Sequence, residues 1–235
     1  MIRQEPEKQE PYPPLAQYRM LVASPEQVPQ YATLAAEAIG IEFPLEYLSR
    51  GDVLLFAGPN GALGGGAVIV LQPPFRSLQS IPEGVDVPLD SLDDLKGVGE
   101  INGVWLGPPC RGSYLSYVFW RSLLQHALQT GCERFLFTYA HEARRIPAAY
   151  QLTRPRVLFS GRTRLLPGMK RQVQETVGVF EADILPDLVA VLDRHCGSMP
   201  ESSVTGFITR GKGCISRRGW GSLTADGGFR PSAPR

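Results

Sequence analysis

A chain of 235 residues with 43% hydrophobic content can bury one substantial core and is short for two. Its 24 Lys and Arg against 23 Asp and Glu leave a formal charge of +1, so no global field draws it to nucleic acid or an anionic membrane. Cys110, Cys132, Cys196 and Cys214 form no Cys-x-x-Cys pair and the three histidines lie at no ligand spacing to them, which argues against zinc and for free thiols in a reducing cytoplasm.

Residues 1–16 are rich in Glu, Lys, Gln and Pro and read as a disordered leader without the apolar stretch of a secretory signal. No run approaches the roughly 18 apolar residues a bilayer span needs. Tyr18 to Val22 reads as a first strand. Ser24-Pro25-Glu26-Gln27 supplies an N-cap, a proline at the first helical position and a capping-box glutamine for a helix to Ile39, stopped by Gly40. Asp52 to Ala57 and Leu63 to Leu71 flank Gly58-Pro59-Asn60-Gly61, a hairpin signal. Gly64-Gly65-Gly66 opens no helix and lacks a following Lys-Ser/Thr, so it reads as a bulge or a close backbone approach. Residues 72–99, rich in Pro, Asp and Ser, form an unusually long connection, of the kind used as lids or left disordered.

Val104-Trp105-Leu106 is a strand-like run that passes through Gly107-Pro108-Pro109-Cys110 into a helix from Ser113 to Thr130, ended by Gly131. A strand feeding a helix through a tight turn aims unpaired N–H groups and the positive end of the helix dipole at one point, a natural seat for a phosphate. Arg134 to Tyr139 follows as a buried strand, His141 to Leu152 as a short helix, Val157 to Ser160 and Val173 to Phe180 as the last strands, and Leu185 to His195 as an apolar helix. Residues 197–235, rich in Gly, Ser and Arg, read as a disordered tail. The order predicts a mixed α/β (α+β) domain over 17–196, a mixed sheet with helices on both faces.

The run Leu106, Pro108, Arg111, Gly112 and Leu115 is in step with the apolar-x-Pro-x-x-Arg-Gly-x-Gly-x-Gly/Ala pattern of the GNAT superfamily of N-acyltransferases, which the chain resembles over about residues 18–180. Tyr114 and Ser116 depart from it, standing where small residues are usual, so the Tyr114 ring must point away for a phosphate to approach. The resemblance implies splayed central strands with an acyl thioester in the gap. It implies acyl-CoA or an acyl-carrier-protein thioester as cosubstrate, with no metal. The donor would be held by Arg111, Gly112, Ser113, Tyr114, Leu115 and Ser116, with backbone near Trp105 and Leu106 polarising the carbonyl.

Direct attack by a small-molecule amine calls for a base and an acid. Glu100, read as preceding the central strand, is the candidate base, and Tyr150, in the helix after the fifth strand, the candidate acid. The structural alternatives are a solvated strand-edge glutamate and a tyrosine that only packs its ring. His141 is a second candidate base, and Cys110, with no evident base beside it, reads as an inert thiol. Arg144, Arg145, Arg154, Arg156, Arg162 and Arg164 add charge around the cleft for phosphate, carrier protein or acidic acceptor, or are simply solvated. The long insert also resembles the branch that makes long-chain N-acyl amino acids or acyl-homoserine lactones, which would imply a fatty acyl donor. The rival readings are a GNAT-like scaffold without turnover and a nucleic-acid module using the basic tail.

Overall fold

The computed structural model describes residues 18–87, 95–143 and 150–198. The expected leader, nearly all of the tail, part of the long connection, and Arg144 and Arg145 lie outside them. Seven strands form one sheet in the order β1-β2-β3-β4-β5-β7-β6. They are β1 Arg19–Val22, β2 Gly51–Ala57, β3 Leu63–Val70, β4 Val98–Leu106, β5 Arg134–Ala140, β6 Arg156–Arg162 and β7 Gln174–Glu181. Only the β4–β5 pair is parallel among these neighbours.

The first helix, α1 (Val28–Ile39), begins later than its sequence signal suggests. Ser24 to Gln27 closes a turn instead, in which the Ser24 amide donates to the Gln27 side chain at 2.9 Å while the Ser24 hydroxyl turns to Glu26. Two one-turn helices escaped the sequence reading, α2 (Leu45–Leu48) and α3 (Arg76–Gln79). Four residues show no 3.6-residue period, so only tertiary contacts define them. The long helix α4 (Tyr114–Gln129) buries Leu115, Phe119, Leu123 and Ala127, and α5 (Leu185–Ser198) runs through Gly197, past the expected start of the tail.

Alternation along the strands divides the core in two. On one face, Phe56, Ile101, Phe137 and Phe180 pack under α4 and α5. On the other, Val53, Leu55, Val68, Leu136 and Val179 pack under Tyr31 of α1 and Tyr47 of α2.

Strands β4 and β5 are paired only from Val98↔Arg134 to Ile101↔Phe137. Beyond that, β4 follows β3 out to Leu106↔Gly65 and β5 follows β7 out to Ala140↔Glu175, so the two strands part. A bulge between Gly66 and Val68 in the β3–β4 register accompanies the divergence. It places Gly103 at φ 59°, a conformation that glycine adopts without strain.

Candidate active site at the fork between the central strands

The turn from β4 to α4 lies at one lip of the fork. The Gly107 amide donates to Gly64 O at 2.8 Å, and the amides of Cys110 and Arg111 close back onto Gly107 O at 3.0 and 3.1 Å. Gly64 is required here, since a Cβ would come within 2.6 Å of the buried Cys110 sulfur. The expected close approach in the Gly64-Gly65-Gly66 run is thus the contact that seats the turn.

Gly112, at φ 66°, then redirects the chain into α4. The amides of Gly112, Ser113, Tyr114 and Leu115 have no backbone acceptor among the described residues, whereas Ser116 N donates to Ser113 O at 3.0 Å. Four N–H groups at a helix start without a backbone acceptor are a geometry that can receive an anion.

The departures from small residues do not point into that seat. The Tyr114 hydroxyl donates to Cys196 O at 2.9 Å, tying the ring to the end of α5, and burial pushes its pKa up to about 12. The Ser116 hydroxyl turns back to Ser113 O at 2.7 Å. Arg111 is exposed and its Nε donates to Leu106 O, which folds the guanidinium over the turn. Burial raises the Cys110 thiol to about 11, which fits an inert packing role. Leu106 packs on the α4 face, while Trp105 is buried on the α1 face with an indole nitrogen that has no partner among the described residues.

Tyr150 lies at the fork on the α4 face. Its ring stacks on Phe137 at a centroid distance of 4.0 Å and meets Trp120 edge-on at 6.1 Å. Burial first, then the charge of Glu100, pushes its phenol above the usual range. An apolar cavity of about 30 Å³ lined by Ile101, Trp120, Leu124 and Leu192 adjoins it, room for about two water molecules or a short acyl tail.

Glu100 differs from its expected setting. It lies within β4, fully buried, on the face opposite Tyr150. Its carboxylate accepts from Tyr47 Oη at 2.7 Å, Arg76 N at 3.1 Å, Ser77 N at 2.5 Å, the Ser77 hydroxyl and Asn102 Nδ2 at 3.4 Å. A carboxylate so engaged fixes α2 and α3 to the sheet and has little left to offer an incoming amine. The fold therefore does not bring Glu100 and Tyr150 together as a pair.

On the Glu100 face Asn102 Oδ1 receives Gly103 N at 2.7 Å, and Tyr31 Oη donates to Gly103 O at 2.8 Å. His141, at the end of β5, has its Nε2 3.1 Å from Thr176 Oγ1 and 3.3 Å from Ser160 Oγ, the setting of a structural imidazole.

Two buried charged residues on the Glu100 face were not singled out in the sequence. Arg76, at the start of α3, and Glu175, beside Ala140 on β7, are both buried on the Glu100 face. Burial raises the Glu175 carboxyl above its usual range, and the nearby Arg76 charge partly offsets it. A raised carboxyl contributes stability at acid pH that is lost as pH rises through its folded-state pKa. Glu175→Gln, which fixes the neutral form, should therefore be more stable than the parent near pH 8 and match it near pH 4, as urea unfolding would measure.

No family profile and no curated protein matches the chain. Among solved structures it is similar to a GCN5-related N-acetyltransferase from Brucella melitensis, at 11% identity and a TM-score of 0.51 over 86% of this chain and 96% of that one. It is also similar to mutant forms of the spermidine/spermine N-acetyltransferase SpeG from Vibrio cholerae, at 7% identity and a TM-score of 0.51 over 73% and 98%. The forked mixed sheet, with the amide-lined turn at its lip, is the GNAT fold, as the sequence pattern implied. Among the described residues no group of His, Cys, Asp or Glu could hold a metal, and no helix is long and apolar enough to cross a membrane.

Proposed function

We propose that this protein is an N-acyltransferase that moves a short acyl group from acyl-CoA to an amine. The observation that carries the proposal is the parting of β4 and β5 beside four unspent amides at the start of α4. The amides of Gly112, Ser113, Tyr114 and Leu115 hold the pyrophosphate, with Arg111 adding charge from the rim and Ser116 packing the helix start. The β5-facing backbone of β4, through Trp105 and Leu106, polarises the thioester carbonyl. As the amine nitrogen bonds to the carbonyl carbon, the carbon–sulfur bond breaks and the electron pair leaves on sulfur.

Tyr150 remains protonated and donates a hydrogen bond to that sulfur, stabilising the thiolate rather than surrendering its proton outright. Glu100 acts by positioning, and the amine's proton passes to water or to Glu175. The small cavity beside Tyr150 favours an acetyl-sized group over a fatty chain.

Thermal unfolding with acetyl-CoA, octanoyl-CoA and an acyl-carrier-protein thioester tests the donor. A true donor at a hundredfold excess over its Kd should add about 2.7 kcal/mol. With amines present, thiol release should be seen, and Tyr150→Phe should lower kcat by about 10²-fold with little change in KM. Stabilisation by the carrier thioester alone would move the donor to a carrier protein. Stabilisation without thiol release from any amine would mark a binding protein on the same fold.

A further inference from the structure

Arg76 and Glu175 are each only 7% exposed, carry opposite charges, and do not meet. Their charges act on one another, yet no nitrogen–oxygen contact within 4.0 Å joins them. The Arg76 guanidinium donates through Nη2 to Pro167 O at 2.7 Å and lies 5.4 Å over the Phe43 ring. Its Nε and Nη1 make no hydrogen bond among the described residues and are not sealed from solvent, unlike the enclosed nitrogens of Arg50 and Trp105. The Glu175 carboxylate likewise accepts no hydrogen bond from the described residues and is not sealed.

Two opposite charges largely under cover, apart from one another and with polar atoms still open to solvent, can be joined by a polar molecule that displaces the water between them. Something polar that spans the pair satisfies both partners at once. That something must present an acceptor to Arg76, whose planar fork suits a carboxylate, and a donor to Glu175.

The place is the right one for an acceptor. Glu100, from β4, receives the Arg76 and Ser77 amides and so fixes α3 across the sheet. Glu175 pairs with Ala140 at the end of β5, where β5 has already parted from β4. Tyr150 packs on the other face of the sheet, so donor and acceptor approach from opposite faces.

We infer that Arg76 and Glu175 form the acceptor site and that the acceptor is zwitterionic, an α-amino acid whose carboxylate sits on Arg76 and whose amine faces Glu175. The inference rests on the acyl-transfer reading only for the fate of that amine. The ammonium first gives one proton to Glu175, which frees the nitrogen lone pair; as that nitrogen bonds to the carbonyl carbon it gives its second proton to water, and the thiolate departs with the electron pair of the broken carbon–sulfur bond.

Binding without any donor tests it. The twenty common L-α-amino acids, each paired with its decarboxylated amine, are titrated calorimetrically into the full chain and into Arg76→Gln, Arg76→Lys and Glu175→Gln. At least one amino acid should bind tenfold or more tightly than its amine. Arg76→Gln should abolish that ratio and Arg76→Lys retain part of it. Glu175→Gln, nearly unchanged in shape, should weaken the amino acid tenfold while leaving the corresponding deaminated acid unaffected. Binding of no amino acid, or unchanged ratios in both the Arg76→Gln and Glu175→Gln variants, would overturn the inference. If Arg76→Gln fails to fold, Glu175→Gln alone decides. Because these are equilibrium measurements on the free protein, they can succeed or fail whether or not acyl-CoA binds, and so separate this inference from the donor assignment.

Discussion

Glu100→Ala should lower the unfolding free energy by about 3–5 kcal/mol, among the largest effects of any single substitution in the sheet. The carboxylate is fully buried and receives five hydrogen bonds, from Tyr47, the Arg76 amide, the Ser77 amide and hydroxyl, and Asn102. Truncation leaves those donors facing a cavity, and each buried unsatisfied donor costs about 1–3 kcal/mol before relaxation. For a domain of this size each kcal/mol is about 2–4 °C in Tm, so a shift of roughly 10 °C is expected. Glu100→Gln separates two roles. A positioning carboxylate replaced by an amide should lose stability, because the NH2 group meets donors, and the residual folded protein should keep measurable turnover. A variant as stable as the parent yet without turnover would restore Glu100 as the base.

Gly103→Ala is the second change with a large expected effect, here on rate. The residue has φ 59° at the bulge of β4, and an added methyl group would overlap the Tyr31 hydroxyl. Either Tyr31 moves and its 2.8 Å hydrogen bond to Gly103 O breaks, or the bulge flattens. A flattened bulge shifts the backbone that lines the fork by a fraction of an ångström to an ångström, and a misplacement of that order costs about 10²-fold in rate. Tyr31→Phe removes the colliding oxygen. The double variant should therefore recover part of the stability lost in Gly103→Ala, a negative coupling readable in a double-mutant cycle by urea unfolding. Additive losses would mean that left-handed backbone strain, not the collision, dominates.

Most of the frame was legible in the chain because its signals are local. The glycine stop at Gly40, the hairpin around Pro59-Asn60-Gly61 and the aromatic-rich run from Arg134 to Tyr139 each sit within a few residues of what they specify. The amide turn was legible for the same reason, as Pro108, Arg111 and Gly112 determine it together. The arrangement on the Glu100 face was not. Glu100 looks like a strand-edge acid until Tyr47 and Ser77, 53 and 23 residues away in sequence, close over it. Arg76 and Glu175 are unremarkable in sequence, one in a proline-rich connection and one at a strand start, and only a one-turn helix without periodicity carries the first toward the second. Local pattern can reveal where backbone turns; it cannot reveal which distant side chains share a cover.

The hydroxyl of Tyr114 grips the last turn of α5 from the first turn of α4. Arg121 repeats the grip about two turns further on through Asp193, and Tyr117 rests against His195 at 5.6 Å. A diphosphate captured by the opening amides of α4 would stiffen the same turn that anchors the terminal helix, so occupancy of the nucleotide and docking of that helix must favour each other to equal degree. The bulky side chain that replaces glycine there thus trades an open doorstep for a hinge pin.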